Sequence, residues 1–176
     1  GSEYSFPYKK SVGNRHVIQK WFVEETRLGI PVDFTNEGIR GLCHDRATSF
    51  PAQCGQGATW DRALIRQIAN VTAQEASVLG YTNVYAPILD VSRDPRWGRV
   101  ECYSESPYLA GELGKQMVLG LQENRIVSTP KHFAVYSLPV GCRDEGTRTD
   151  PHVAPKEMKT LLLEPFRKAI QEGGAL

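Results

Sequence analysis

The chain has 176 residues, 40% of them apolar and 23% charged, which suits one globular domain with a sizeable core. A formal net charge of +1 offers no electrostatic footprint for nucleic acid or an anionic membrane. No apolar run approaches the length of a membrane span and no signal peptide is visible; a parent chain with a leader peptide would be secreted or periplasmic.

In chain order, residues 16–27 (HVIQKWFVEETR) place Val17, Ile18, Trp21, Phe22 and Val23 on a helix-compatible face. Gly29 then opens a short strand, expected over residues 30–34. Residues 36–59 are rich in glycine and turn formers and read mostly as loop, with a short strand near Ser49. Thr59 is the expected cap of the next helix, whose Leu64, Ile65, Ile68, Ala69, Ala76 and Leu79 follow the helical repeat until Gly80 stops it.

Residues 84–89 are apolar without polar alternation, the mark of a strand buried on both faces of a parallel sheet. The run stops in a knot of charge: Asp90, Arg93, Asp94, Arg96 and Arg99, with Pro95, Trp97 and Gly98 between them. Desolvated arginines beside carboxylates are costly unless paired. The knot is therefore either an ion-pair network bracing a ligand pocket or a structural loop. Ser106 and Pro107 suit the N-cap and first turn of a helix through Leu121, with Leu109, Leu113, Met117 and Leu121 spaced by four. A strand over residues 126–129 ends at Pro130, Lys131 and His132. The polar loop SLPVGCRDEGTRTDPHV leads to a final helix over residues 155–172, bent at Pro165, and Ala175 and Leu176 read as the first step of another strand.

Cys43, Cys54, Cys102 and Cys142 form no CxxC pair, so neither a zinc site nor a disulfide framework is signalled. The four histidines lack HExxH or other metal spacing, and GQGAT at residues 55–59 lacks the lysine of a phosphate-cradling loop. No metal and no cofactor is expected. The adjacent Cys43, His44 and Asp45 are discounted as a nucleophilic set, because such triads are assembled from distant segments. The sequon at Asn70 falls inside a predicted helix and is read as incidental.

Strand and helix alternate throughout, the α/β pattern with a mainly parallel sheet. Polar residues follow each strand: Asn36 and Glu37, then residues 90–99, then Lys131 and His132. A doubly wound sheet concentrates its ligand at one switch point, whereas a barrel gathers residues from many strand ends around one mouth. The distribution favours a (β/α)8 TIM-type barrel, and since a complete one needs about 250 residues, a partial barrel is expected. Residues 1–28 form an arm and helix leading in, and residues 29–176 the partial barrel, without its C-terminal strands. An open sheet edge is left for the missing strands or a self-associating chain to cover. A carboxylate at Glu37 and donors at Lys131 and His132 can reach a polyhydroxylated ligand, and a lysine at a barrel mouth can also form a Schiff base.

The succession IPVDFTNEGIRG, ATSFP, YAPILDVSRDPRWGR and KHFAVYS closely resembles the N-terminal barrel domain of glycoside hydrolase family 3, the β-glucosidases, β-xylosidases and related exo-acting enzymes. The resemblance runs from about residue 29 to residue 176. It implies a portion of a retaining β-glycosidase acting on terminal non-reducing β-linked sugars, with β-glucoside or oligosaccharide as substrate. Glu37, Arg99, Lys131 and His132 match the family's sugar-gripping positions, with Asp90 and Arg93 as bracing and Asp94 and Arg96 as loop ion pairs. The nucleophilic aspartate is expected on a strand after Leu176 and the acid/base in a later domain, so no catalytic carboxylate is assigned within the chain. Glu37 stands where glucosidases often have Asp, a pairing with Asn36 common in the xylosidase branch. The loop after KHF looks more glucosidase-like, and β-glucosidase is preferred. Arg40 replaces a frequent His, and Ser106 an acid. Two alternatives stand beside this reading: a Schiff-base lyase using Lys131, and a non-catalytic carbohydrate-binding or scaffold module.

Overall fold

The computed structural model describes residues 8–93, 101–137 and 152–175. Three short parallel strands, β1 (Thr35–Glu37), β2 (Asn83–Tyr85) and β3 (Val127–Ser128), lie side by side in that order. Thr35 pairs with Asn83 and Glu37 with Tyr85, while Asn83 and Val84 pair with Val127 and Ser128. Neighbours in space are thus neighbours in sequence, as in a barrel wall and unlike the reversal of a doubly wound sheet.

Among the described residues six α-helical segments accompany them: α1 (Tyr8–Glu25), α2 (Gln53–Gly57), α3 (Arg62–Val78), α4 (Pro107–Glu123), α5 (Pro155–Glu157) and α6 (Glu164–Gln171). The main core joins Ile65, Ile68 and Ala69 of α3 and Leu109, Leu113 and Met117 of α4 to Val84 of β2. A second cluster carries Leu89 and Val118 onto Phe166 and Ala169 of α6. Gly120 lets α3 and α4 approach: a Cβ there would stand 2.5 Å from that of Ala69 and 3.0 Å from the Arg66 carbonyl oxygen.

Several elements differ from their expected bounds for identifiable reasons. The apolar run at residues 30–34 is not the first strand. Ile30 is exposed, Val32 is held by the Gln19 side chain through both its N–H (2.8 Å) and its carbonyl (3.3 Å), and the ladder starts only at Thr35. Asp61, not Thr59, caps α3 by accepting from the Leu64 N–H at 3.0 Å; the Thr59 hydroxyl donates to the Gln56 carbonyl. No strand forms near Ser49, and α2 rises from what reads as loop. The run at 84–89 is buried except at the half-buried Tyr85, yet β2 ends at Tyr85: Pro87 has no N–H to give, and pairing resumes at the Ile88–Lys131 bridge. Ser106 caps α4 with Pro107 behind it. The last helix is broken, not simply bent. A π turn at Met158–Leu162 separates α5 from α6, since Pro165 cannot supply the N–H that a continuous helix requires.

α1 starts earlier than its apolar pattern, and much of that pattern faces solvent, with Val17, Trp21 and Val23 exposed. Arg15 ties the helix down, donating to the Leu79 carbonyl at 2.9 Å and lying over the Tyr81 ring.

Between α3, α4 and α6, Glu112 accepts from Arg62 at 2.8 Å and from Lys168, with Lys115 3.4 Å away. Burial pushes the Glu112 carboxyl up, but hydrogen bonds from Lys168 and Arg62 outweigh it and hold the pKa at about 2 instead of 4.5. A folded value below the unfolded one means the stabilisation is complete above the ordinary carboxylate range and is lost as pH falls towards about 2. Glu112→Gln should therefore flatten the acid limb. Urea unfolding from neutral pH down to pH ~2 is expected to show the parent losing roughly 2–3 kcal/mol more than the variant. Parallel acid profiles would contradict this account of the cluster.

Candidate functional site

Parallel strands direct their C-terminal ends to one side, and the residues there meet. Glu37, the last residue of β1, and Lys131, three residues beyond β3, reach each other over β2. Lys131 Nζ donates to Glu37 Oε1 at 2.7 Å and Oε2 at 2.5 Å, and lies 5.9 Å from the centre of the Tyr85 ring at the end of β2. The Lys131 side chain is only 18% exposed, so this pairing offsets the cost of withdrawing its ammonium from water.

The next residue is fixed independently. Asp90 Oδ2 accepts from the His132 backbone N–H at 3.1 Å and lies 2.7 Å from His132 Nδ1. The Asp90 side chain is almost wholly buried, that of His132 about one-third exposed, and the imidazole rests against Tyr136 with ring centres 4.2 Å apart. Beside Asp90, burial pushes the Cys102 thiol up to about 12, and the Asp90 charge adds to the effect. Cys102 is thereby held as an unreactive thiol.

The backbone under these groups is tied by side-chain amides. Gln53, 1% exposed, donates to the Ile88 carbonyl at 3.1 Å and accepts from the Ile88 N–H at 3.0 Å, doing what a neighbouring strand would do. Ile88 pairs on its other side with Lys131, so α2 is coupled to the site through one peptide unit. Asn36 donates to the Cys43 carbonyl at 2.9 Å and accepts from the Glu37 N–H at 2.8 Å, which sets the exit of β1.

An open cleft of about 600 Å³ runs from Glu37 and Lys131 along the loop after β1, with Arg40, Leu42, His44 and Glu101 in its wall. The loop doubles back through the Phe50 N–H to the Arg40 carbonyl at 2.9 Å, and the His44 ring turns to its own loop, 3.0 Å from Asp45. Among the described residues no group of three or more His, Cys, Asp or Glu side chains could hold a metal ion. Cys43, Cys54 and Cys102 are free thiols.

Of the residues singled out in the sequence, the structure brings together Glu37, Lys131, His132 and Asp90. Arg93 is exposed and borders a different hollow, with Glu105, Ser106 and Pro107. Arg99, Asp94, Arg96 and Cys142 lie outside the described residues. Gln53 and Glu101 carry no signal that marks them in the sequence; Tyr85 and Tyr136 fall inside the quoted motifs without being singled out, and Asn36 stands beside Glu37 as read.

A parallel-barrel wall with charged and hydrogen-bonding side chains gathered at its C-terminal rim is the layout of a TIM-barrel enzyme. The chain belongs to glycosyl hydrolase family 3: residues 7–176 match the model of the Glycosyl hydrolase family 3 N terminal domain. It is 36% identical over 164 residues to a beta-xylosidase of Formosa agariphila, covering 84% of this chain and 22% of the relative. To beta-glucosidase B of Emericella nidulans it is 34% identical over 155 residues, 84% of this chain and 18% of the relative. Among solved structures, a β-glucosidase of Erythrobacter marinus superposes with a TM-score of 0.87 at 33% identity, over 98% of this chain and 24% of that one. The beta-glucosidase of Listeria innocua in complex with glucose gives a TM-score of 0.79 at 33% identity, over 94% and 23%. The chain thus spans less than a quarter of the length of these relatives. The fold is part of a TIM-type barrel, and the family is one of β-glucosidase- and β-xylosidase-type glycosidases. No helix among the described residues is long and apolar enough to cross a membrane.

Proposed function

We propose that this chain is the portion of a retaining β-glycosidase that holds the terminal non-reducing sugar, with β-glucoside preferred over β-xyloside. The observation that carries the reading is the Glu37–Lys131 pair beside an Asp90-anchored His132 at the strand ends. A carboxylate accepts from vicinal hydroxyls and the two basic side chains offer polar contacts to their oxygens. Such bonds to the sugar strengthen as oxocarbenium character develops. Arg99 is assigned to the same subsite, Asp90 and Arg93 to its bracing, and residues 1–28 to an arm ahead of the barrel proper. The glucose complex of the Listeria relative supports the preference for glucose, while the Formosa beta-xylosidase and Glu37 keep xylose as the rival.

Retention requires a nucleophile and an acid/base with carboxyls about 5–5.5 Å apart. Glu37 is paired with Lys131 and Asp90 with His132. On the resemblance to the family, the two cleaving carboxylates are assigned to other parts of its architecture, the nucleophile to the strand expected after Leu176. The same additional strands would cover the outer edges of β1 and β3. The purified chain is expected not to turn over aryl β-glucosides or β-xylosides, and calorimetry is expected to show weak binding with glucose ahead of xylose. Turnover by preparations free of host enzyme would overturn the assignment of the catalytic carboxylates, and tighter xylose binding would reverse the sugar preference.

A further inference from the structure

We infer that Asp90 is a positioning residue that fixes the proton of His132 on Nδ1, leaving Nε2 as the ring atom available to a sugar hydroxyl; the second half rests on the proposed sugar subsite. A neutral imidazole has two tautomers, and the one adopted is set by the hydrogen bond its other nitrogen makes. Nδ1 lies 2.7 Å from Asp90 Oδ2. A carboxylate oxygen facing a bare ring nitrogen would oppose two lone pairs at hydrogen-bond distance, so Nδ1 carries the proton and donates.

Three further observations make the assignment specific. The same Oδ2 accepts the His132 backbone N–H at 3.1 Å, so the carboxylate grips the residue at two points and fixes its χ angles as well as its tautomer. Tyr136 supports the ring, with centroids 4.2 Å apart. The Asp90 side chain is 1% exposed, and its surroundings include the buried Ile88 and Cys102, so water competes little for the acceptor. Asp90 is not among the residues that line the cleft. Its part is to hold a ring whose other nitrogen meets the ligand, the arrangement in which a buried carboxylate orients an imidazole without itself taking up a proton.

The test is a long-range proton–nitrogen correlation spectrum of the full chain with isotope-labelled histidine, recorded without sugar under alkaline conditions. The expected result is a protonated Nδ1 and a bare Nε2 for His132; a proton on Nε2 overturns the inference. In Asp90→Leu the His132 signal is expected to lose the Nδ1–H form and move towards the Nε2–H form, with Glu37 and Lys131 unchanged in sequence. A folded Asp90→Leu chain that keeps Nδ1–H also overturns it. Should that variant fail to fold, the parent spectrum alone decides. Glucose added afterwards tests the sugar subsite separately: a shift confined to Nε2 supports that subsite. Nδ1–H without any response to glucose defeats the subsite reading and leaves the role of Asp90 in the tautomer standing.

Discussion

Gln53→Leu is expected to destabilise the chain by about 3–5 kcal/mol, since it strands a buried donor and a buried acceptor at about 1–3 kcal/mol each. The substitution keeps the volume and adds apolar character, so a count of buried carbon would place it near neutral. What it removes is the amide that satisfies both the N–H and the carbonyl of Ile88, at 3.0 and 3.1 Å, in a place no water reaches. Chemical denaturation measures the loss, and a change below about 1 kcal/mol would mean the strand finds other partners. Because Ile88 bridges to Lys131, hydrogen exchange at the Leu89 N–H, bonded to the Lys131 carbonyl at 2.7 Å, should quicken in parallel.

The second large effect is chemical. In a chain carrying the full family architecture, Lys131→Met is expected to lower kcat/KM for an aryl β-glucoside by about 10²–10³-fold, the cost of one preorganised donor. Lys131 bonds both oxygens of Glu37, so the two act as a unit. Combining Lys131→Met with Glu37→Gln should cost clearly less than the product of the separate losses. Fully independent effects would argue that the pair does not meet the sugar together. The same geometry bears on Schiff-base chemistry, which needs a free amine. A Lys131 Nζ engaged by both oxygens of Glu37 is not free to attack a carbonyl carbon.

How much of this was legible in the sequence depends on whether local chemistry or tertiary partners decided each element. Ser106 and Pro107 announced α4 because a cap and an N-terminal proline act within one turn. The parallel sheet was legible from the unbroken apolar run at 84–89, in which Val84, Ala86, Ile88 and Leu89 are buried whether or not they make ladder bonds. The start of β1 was not: Asn36 and Glu37 have little strand character, and they are extended because β2 lies alongside. The apolar residues before them attract the assignment but are held by Gln19 instead. At the site, Glu37, Lys131 and His132 were legible as polar residues following strands, and Asp90 as the first charge after one. That Asp90 should pair with His132 and Glu37 with Lys131 depends on strand order and register, which no spacing in the sequence encodes.

The substitution of one glutamine for a stretch of backbone hydrogen bonding has a consequence for how this domain can diversify. The segment from Gly38 to Ala52 supplies most of the cleft wall, including Arg40, Leu42 and His44, yet at Ile88 the barrel wall is satisfied by Gln53, which lies beyond that segment. Loop length and lining can then drift between relatives while the amide keeps the wall closed and Lys131 in register. Change along the cleft wall and constancy at the strand ends become separately heritable traits, with Gln53 as the hinge between them.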